Sequence, residues 1–411
     1  MFDANFIANP YPAYQELLAT GRIHWVEYLG GAWLVPHYDD VLTLLRDPRL
    51  SAERSGAYMQ CFSDEERATL QPLQRCMDLW MVSMDGAPHM NIRRRLSKAF
   101  TPRTIDNLRP HIQTLTNTLI DRMIDQSGGT GQIELMHQFA HPLPAMVIAQ
   151  LLGVANEDQA KFVQWSDELA VFICSANPTY EEACLGQNAI LSMIAYLEDV
   201  VAERRQHPGD DLISQLVNVE DHDDMLTVEE IFSQCVLFLF AGHETTRNLI
   251  GNGLQTLLHH PDQVALLRRN PSLIKGALEE MVRYECPVQL IARIAIEDME
   301  IHGAQIKRGQ TVAVVLGSAN RDPEQFSDPD RFDITRIGSR PVSFGHGAHV
   351  CIGMALAYVE AGVALTTLLE RLPNLRLVNA TPDWSPTFLF RSLRSLPLAF
   401  EPQDRALEVA A

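Results

Sequence analysis

Ten residues, FGHGAHVCIG from Phe344 to Gly353, place one cysteine among three glycines, just before an apolar helical run. Glycine permits tight turns and lets the backbone approach a flat ligand closely. The helix that follows Cys351 points its free amides and its positive dipole end toward the sulfur, which favours the thiolate. A free cysteine is more often a small buried hydrophobic residue, but this setting indicates a sulfur that takes part in the chemistry.

A second polar motif, AGHETT at residues 241–246, interrupts the most apolar helical run of the chain, IFSQCVLFLFAG. The small residues Ala241 and Gly242 leave room beside a flat cofactor. Thr245 lies one turn after Ala241, so its hydroxyl can bond that carbonyl and open the helix locally. Glu244 places a carboxylate next to this alcohol. An ordinary polar helix end is the alternative interpretation of the motif.

Two further phrases carry charge in a fixed order along the chain. Glu280 and Arg283 are three residues apart, so they share one helix face, and such a pair usually lies in solvent. The phrases ANRDP at residues 319–323 and PDRF at residues 329–332 follow. Taken one at a time, these phrases are weak signals.

Helical periodicity dominates the rest of the chain. A capping box at Thr227 and Glu230 starts the apolar helix. The stretches IHWVEYL and AWLVPH, at residues 23–29 and 32–37, are typical of a strand pair around Gly30 and Gly31. Residues 291–316 alternate with a period of two, which also predicts strands. We found no linker or internal repeat. The predicted fold is therefore mostly α with a small, mainly antiparallel β region, in a single domain over residues 1–411.

Composition limits the function classes. The formal net charge is −19 and the pI is about 5.1, which argues against binding to nucleic acid or to anionic membrane. The first residues show no basic and apolar leader, and the apolar run at 231–242 is too short to span a bilayer. Seven scattered cysteines without a CxxC pair are typical of a reducing compartment. We therefore expect a cytoplasmic protein without membrane insertion.

The motifs, in their order and spacing, resemble the cytochrome P-450 family, and the resemblance runs from NPYPAY near the start to LPLAF. It looks closest to the soluble bacterial class that receives electrons from a separate ferredoxin and ferredoxin reductase. The resemblance implies a monooxygenase that inserts one atom of dioxygen into a lipophilic molecule. It also implies haem b, held between the 231–250 helix and the 344–353 loop.

The same resemblance implies roles for individual residues. Cys351 would be the only protein ligand of the haem iron, and Glu244 and Thr245 would deliver protons during dioxygen activation. Ala241 and Gly242 would border the haem, as would Phe344, Gly345 and Gly353 of the cysteine loop. Four basic residues would bind the haem propionates: His89, Arg93, Arg293 and His349.

Two features concern the far side of the haem. In the family, the E-x-x-R pair lies under the haem and joins an arginine of the PxRF phrase, here Arg331. Relatives usually carry arginine at the position of Tyr358, a departure expected to affect packing or the partner surface. The partner surface is expected at the basic cluster Arg93, Arg94, Arg95 and Lys98, where an acidic ferredoxin would bind.

The substrate is the least defined part of the prediction. The resemblance implies an apolar pocket, which suits a polyketide or macrolide, a terpenoid, a steroid or a fatty acyl chain. Two alternatives are a peroxide-driven enzyme and a non-catalytic haem-binding sensor, and we expect a monomer. The expected lining is Leu79, Trp80, Met81, Val82, Phe172, Leu237, Leu290, Ile291, Phe388 and Leu389.

Overall fold

A computed structural model describes residues 3–27, 30–175, 178–217 and 226–402. Helices dominate these residues, which confirms the predicted fold class. They are α1 (Ala4–Ala8), α2 (Tyr11–Thr20), α3 (Tyr38–Leu44), α4 (Ser55–Met59), α5 (Asp64–Thr69), α6 (Gln71–Asp78), α7 (Gly86–Leu96), α8 (Pro102–Gln126), α9 (Pro142–Leu151), α10 (Gln159–Ile173), α11 (Tyr180–Gln206), α12 (Leu212–Val217), α13 (Val228–Leu258), α14 (Pro261–Arg269), α15 (Ile274–Tyr284), α16 (Leu316–Ala319) and α17 (Met354–Arg371).

The strands are short and form four small sheets. They are β1 (His24–Val26), β2 (Ala32–Val35), β3 (Leu50–Ser51), β4 (Gln132–Glu134), β5 (Ile291–Ala295), β6 (Met299–Ile301), β7 (Ala304–Ile306), β8 (Thr311–Val314), β9 (Arg376–Leu377), β10 (Asp383–Trp384), β11 (Leu393–Ser395) and β12 (Pro397–Ala399). The largest sheet has the order β1-β2-β8-β5-β3, and a second has the order β4-β12-β9. The pair β2–β8 is parallel, and the other ladders are antiparallel.

The predicted strand pair near the amino terminus is present. β1 and β2 are antiparallel, with Trp25 opposite Trp33. A Cβ added to Gly31 would lie 2.5 Å from the Trp25 ring, so glycine is needed for this ring to pack over the turn. Tyr28 and Leu29, which belong to the same prediction, lie outside the described residues.

Helix α13 is the central helix. The Thr227 hydroxyl accepts from the Glu230 amide and the Glu230 carboxylate accepts from the Thr227 amide, which is the predicted capping box. The helix continues to Leu258, about two turns beyond the expected end near residue 250. It packs against α9, α10, α15 and α17. Most of its side chains are buried, so the helix lies within the apolar core.

The Glu280–Arg283 pair is buried, although its spacing is typical of a surface pair. Both side chains are fully inaccessible, and Arg283 Nε lies 2.7 Å from Glu280 Oε2. The second arginine on Glu280 is Arg336, whose Nε lies 3.2 Å from the same oxygen. The expected partner Arg331 was wrong: its side chain is mostly exposed and pairs with Asp333.

The two ends of the fold meet at one arginine. Arg391 donates to the carbonyl oxygens of Ile7 and Ala8 at the end of α1. Its guanidinium also pairs with Glu285 and stacks 3.5 Å above the Trp384 ring. The amino-terminal helix is therefore held by residues that follow it by almost the whole chain.

Candidate active site

A cavity lies between α13 and the loop at residues 344–353. The structure brings ten of the twelve residues predicted for the site to its wall, while Glu244 and Arg293 lie just outside the lining. The ten are His89, Arg93, Ala241, Gly242, Thr245, Phe344, Gly345, His349, Cys351 and Gly353.

The cysteine loop folds back on itself so that the sulfur faces the cavity. The Cys351 amide donates to the Phe344 carbonyl at 2.8 Å, and α17 begins three residues later. The sulfur is accessible from the cavity but lies in the protein interior. Burial raises the pKa of the Cys351 thiol, whereas bonds from the Gly353 and Met354 amides and the nearby Arg93 charge act to lower it. The helix start thus supplies the donors that a thiolate needs.

Two of the loop glycines are required by their backbone. Gly345 and Gly347 have φ of 72° and 74°, in the left-handed region. A Cβ on Gly347 would also lie 3.1 Å from the Leu45 carbonyl oxygen. Gly353 has φ of −84°, which any residue can adopt, so its glycine is not required by φ. Its added Cβ would lie 3.9 Å from the Cys351 sulfur.

The aromatic pair behind the loop explains the unusual Tyr358. Its ring packs edge-on against Phe344, with 5.1 Å between the centroids. Tyr358 is partly buried, and burial raises the pKa of its hydroxyl. This residue therefore supports the loop through packing, which agrees with one of the two roles expected for it.

Helix α13 presents its alcohol to the opposite wall of the cavity. Thr245 Oγ1 donates to the Ala241 carbonyl at 2.8 Å, as the four-residue spacing predicts. A Cβ on Gly242 would lie 2.8 Å from Ile148 Cδ1. The small residue therefore makes room for Ile148 of α9 as well as for the cavity. Glu244 is buried and pairs with Arg247 at 3.1 Å.

Next to Glu244, His243 links two helices. Its Nδ1 is 2.8 Å from Ser166 Oγ on α10, and its Nε2 is 2.9 Å from the His141 carbonyl. His141 Nε2 lies 2.6 Å from Asp167. His141, Asp167 and His243 have a spacing compatible with a metal ion. Because both ring nitrogens of His243 already have partners, the group acts as a hydrogen-bonded link between α10 and α13.

Two histidines stack at the edge of the cavity. The rings of His89 and His349 are 4.0 Å apart, and His89 Nε2 is buried without a partner among the described residues. Burial and the His89 and Arg293 charges lower the pKa of His349 to about 3. Asp85 is the nearby carboxylate, 3.7 Å from His349 Nε2.

Arginines supply the positive charge at this edge of the cavity. Burial, together with the charge of the neighbouring Arg54, lowers the pKa of Arg293 to about 10. Arg54 was missed by the sequence reasoning, since the stretch SAERSG carries no motif. Arg93 donates to the Val350 carbonyl. Several cations thus share Asp85, a surplus that fits a cofactor with two carboxylates.

The rest of the wall is apolar, but it differs from the expected lining. Met81, Val82, Leu237 and Ile291 reach the cavity. The other six expected residues do not line it: Leu79, Trp80, Phe172, Leu290, Phe388 and Leu389. Leu290 and Phe388 instead pack with the amino-terminal helices, because the 388–390 turn covers α1 and α2.

One buried acid at the base of the cavity was not singled out from the sequence. Glu360 of α17 is almost inaccessible, and its Oε2 has no partner among the residues described. Burial raises the pKa of this carboxyl well above its usual range. A buried acid without a protein partner among the described residues therefore lies beneath the site.

Within the described part of the chain, none of the helices combines the length and the apolar character that crossing a bilayer requires.

The chain matches the sequence model of the cytochrome P450 family over residues 42–271 and 268–375. It is 38% identical over 403 residues to the biotin biosynthesis cytochrome P450 of Bacillus subtilis, covering 97% of this chain and 98% of that one. It is 39% identical over 404 residues to the cytochrome P450 monooxygenase PikC of Streptomyces venezuelae, covering 96% of this chain and 92% of that one.

Solved structures agree with this relationship. The structure of P450BioI with a hexadec-9Z-enoic acid ligated acyl carrier protein superposes with a TM-score of 0.88 at 38% identity, covering 97% of this chain and 100% of that one. The structure of epothilone B-bound P450epoK also superposes with a TM-score of 0.88, at 29% identity, covering 98% of this chain and 99% of that one.

The fold and the cysteine-lined cavity define a haem-thiolate protein. The chain belongs to the cytochrome P450 family, whose cofactor is thiolate-ligated haem b. It is a monooxygenase that uses dioxygen, a lipophilic substrate and redox partners.

Proposed function

We propose that this enzyme hydroxylates or epoxidises a lipophilic natural product in the cavity between α13 and the cysteine loop. The haem would lie there, within a single domain of residues 1–411, with Cys351 as its only protein ligand. The observation that supports this most strongly is the Cys351 sulfur, which faces the cavity opposite Thr245. When bound, the haem supplies dioxygen activation and oxygen insertion.

The described residues fit the haem. The amides of Gly353 and Met354 stabilise the sulfur that would be its ligand. His89, Arg93, Arg293 and His349 would bind the two propionates. The arginines would do so by charge, and the histidines by hydrogen bonds from their ring N–H groups. Ala241 and Gly242 would border one face, and Phe344 and Gly345 the other.

Cys351→Ser tests the ligand. We expect this variant to lose the red-shifted absorption of the reduced carbon monoxide complex that thiolate ligation gives. Cys61→Ser, at an exposed cysteine, is the control and should keep it. Retention of the red-shifted band in Cys351→Ser would show that another residue is the ligand.

Substrate is held by apolar contact. Apolar side chains from α9, α13, α15, α17 and β5 line the cavity beside Thr245. Burial of apolar surface would drive binding. A polyketide or macrolide, a terpenoid, a steroid or a fatty acyl chain fits this lining. The hexadec-9Z-enoic acid of P450BioI and the epothilone B of P450epoK support this range.

A spectral titration tests the substrate class. The purified holoenzyme would be titrated with tetradecanoic acid, hexadec-9Z-enoic acid, a steroid and a macrolide. A low-to-high-spin shift at micromolar concentration by at least one of these is expected. A lack of any shift, together with a shift by small polar compounds, would refute a lipophilic substrate.

Glu244 and Thr245 would control protons. The Thr245 hydroxyl faces the cavity, where it can hold an ordered water. Glu244 is rotated from it by about 100° on the helix, so it can connect that water to solvent without filling the cavity. The intact pair favours the oxygen-dependent reaction over a peroxide-driven one or a sensor role.

Thr245→Ala should keep haem content and the spin shift, while product per reductant falls and peroxide rises. Thr118→Ala is the matched control, because Thr118 also bonds a carbonyl four residues earlier, but in an exposed bond away from the cavity. Product, peroxide and reductant would be measured together. Full coupling in Thr245→Ala would exclude the proton-control role.

We infer that electrons come from a separate acidic ferredoxin and its reductase, to a monomeric enzyme in the cytoplasm. The helix α7 carries the basic residues Arg93, Arg94 and Arg95, and Lys98 follows it. Charge attraction would raise the association rate and be screened by salt. Arg94→Glu should slow reduction at low salt, whereas Arg205→Glu on α11 should not. Equal rates for both variants would place the partner elsewhere.

A further inference from the structure

One face of α13 is polar for about three turns, although the helix is buried. Glu244, Asn248 and Asn252 follow each other at intervals of four residues, and Gln255 is three residues further. Side chains at this spacing lie one above the other, about 6 Å apart. All four are buried, Asn248 completely. Asn248 follows Ala241, and Asn252 follows Thr245, by seven residues, so each lies within about 20° of the same helix face, two turns further along.

The amide groups in this row lack protein partners. Both Nδ2 and Oδ1 of Asn248, and Oδ1 of Asn252, are buried and bond to none of the residues that the structure describes. The one bond of Asn252 goes from Nδ2 to the Arg391 carbonyl at 2.7 Å. A buried polar atom without a partner costs about 1–3 kcal/mol. Three such atoms along one row are expected only where something else bonds to them.

The row connects Glu244 with the surface. At the far end, Gln255, His259 and Arg391 line an open cleft of about 460 Å³. From Glu244 to Gln255 the helix rises by about 16 Å. A water molecule with two hydrogen bonds spans about 5.6 Å, which matches the spacing between successive side chains. One water per turn would therefore connect the cleft with the carboxylate.

We propose that ordered waters held by Asn248 and Asn252 form the route by which protons reach Glu244 from this cleft. The inference rests on the proposed proton role of Glu244. In each step an O–H bond of one water breaks and an O–H bond forms on the next, so charge and atoms balance. The amides only orient the waters. The Glu244 carboxylate receives one proton and passes one on.

Arg247 does not replace this route. Its NH1 bonds Glu244, and its NH2 is 3.5 Å from the Leu393 carbonyl. A guanidinium keeps its protons at physiological pH, so it cannot take one from water and give it to the carboxylate. It fixes the carboxylate in position at the inner end of the row.

A high-resolution crystal structure of the holoenzyme tests the waters directly. We expect waters within about 3.2 Å of Asn248 Oδ1, Asn248 Nδ2 and Asn252 Oδ1, in a chain that continues to the cleft. In Asn248→Leu, which has the same shape without polar atoms, the chain should be interrupted. Direct bonds from these amides to protein atoms, with no water between them, would overturn the proposal.

Kinetics test the function of the row. Dioxygen consumption and product would be measured with tetradecanoic acid, a surrogate ferredoxin and its reductase, in H2O and D2O. We expect Asn248→Leu to lower turnover about tenfold, a part of the 10²–10⁴ that positioned proton transfer contributes, and to raise the solvent isotope effect. Asn248→Ser keeps a polar group and should restore most of the rate. Haem content and spin shift should stay unchanged in both.

A double variant separates this route from the proposed function. If Asn248 acts through Glu244, then Asn248→Leu with Glu244→Gln should be no slower than Glu244→Gln alone. If Glu244→Gln is slow and Asn248→Leu is as fast as the wild type, the route is wrong and the role of Glu244 stands. Full turnover in Glu244→Gln would show that Glu244 has no role in proton delivery.

Discussion

Replacement of Arg336 by alanine should destabilise the protein far more than replacement of Arg331, the arginine expected from the sequence motif. Arg336 is 14% exposed, and its Nε contacts both oxygens of the fully buried Glu280. It also donates to the carbonyls of Ser327 and Asp328. Arg331 is 66% exposed.

The size of the effect follows from these contacts. A hydrogen bond to a charged group contributes about 1.5–3 kcal/mol, and the loss of half of the positive charge around Glu280 adds to this. Because Arg283 still neutralises Glu280, the total should stay near 3 kcal/mol, below the 3–5 kcal/mol of a fully broken buried pair. Arg331→Ala breaks one exposed pair, worth about 0–1 kcal/mol.

The assay is thermal unfolding of the holoenzyme, followed by circular dichroism and haem absorbance. At about 2 cal/mol/K per residue, 411 residues give an unfolding entropy near 0.9 kcal/mol/K, so 3 kcal/mol lowers Tm by about 3 °C. Arg331→Ala should change Tm by less than about 1 °C. Equal shifts in the two variants, or the larger shift in Arg331→Ala, would refute the assignment of Arg336 as the second arginine on Glu280.

Gly347→Ala should lower haem content. It should also lower the free energy of unfolding by about 1–2 kcal/mol because of the left-handed backbone, and further because the new Cβ contacts the Leu45 carbonyl. Gly338 also has a φ of 73°, but an added Cβ would lie in open space there. Gly338→Ala should therefore lose only the backbone part of this free energy. Burial lowers the pKa of His243 to about 4, whereas unfolded histidine has a pKa near 6.5. The unfolded chain therefore binds this proton first, and up to about 3 kcal/mol of stability is lost as pH falls from 6.5 to 4. Denaturant unfolding at pH 7 and pH 4.5 should show this loss reduced in His243→Asn but not in the control His207→Asn.

The elements that the sequence predicted are those with local signals. Strict alternation indicated β5 to β8, and the capping box at Thr227 and Glu230 indicated where α13 starts. The spacing of Thr245 and Ala241 predicted a hydrogen bond that the structure contains. These features depend on residues only a few positions apart, so local stereochemistry decides them.

Features set by distant contacts could not be predicted. The i,i+3 spacing of Glu280 and Arg283 is the same for a surface pair and for a buried one, and only the fold selects between them. Arg336 replaces Arg331 because the loop geometry after the PDRF phrase decides which side chain turns inward. The role of Gly242 beside Ile148 likewise depends on how α9 packs against α13.

The arginine that joins the two ends of the fold has a consequence for how the protein is made. The carbonyls of Ile7 and Ala8 leave the ribosome first, and Arg391 follows Ile7 by 384 residues. At about 5–20 residues per second, that interval lasts about 20–80 s. Helix α1 therefore spends this interval without its anchor. Nascent chains that end before Arg391 should leave residues 4–8 open to proteases, while full-length chains protect them.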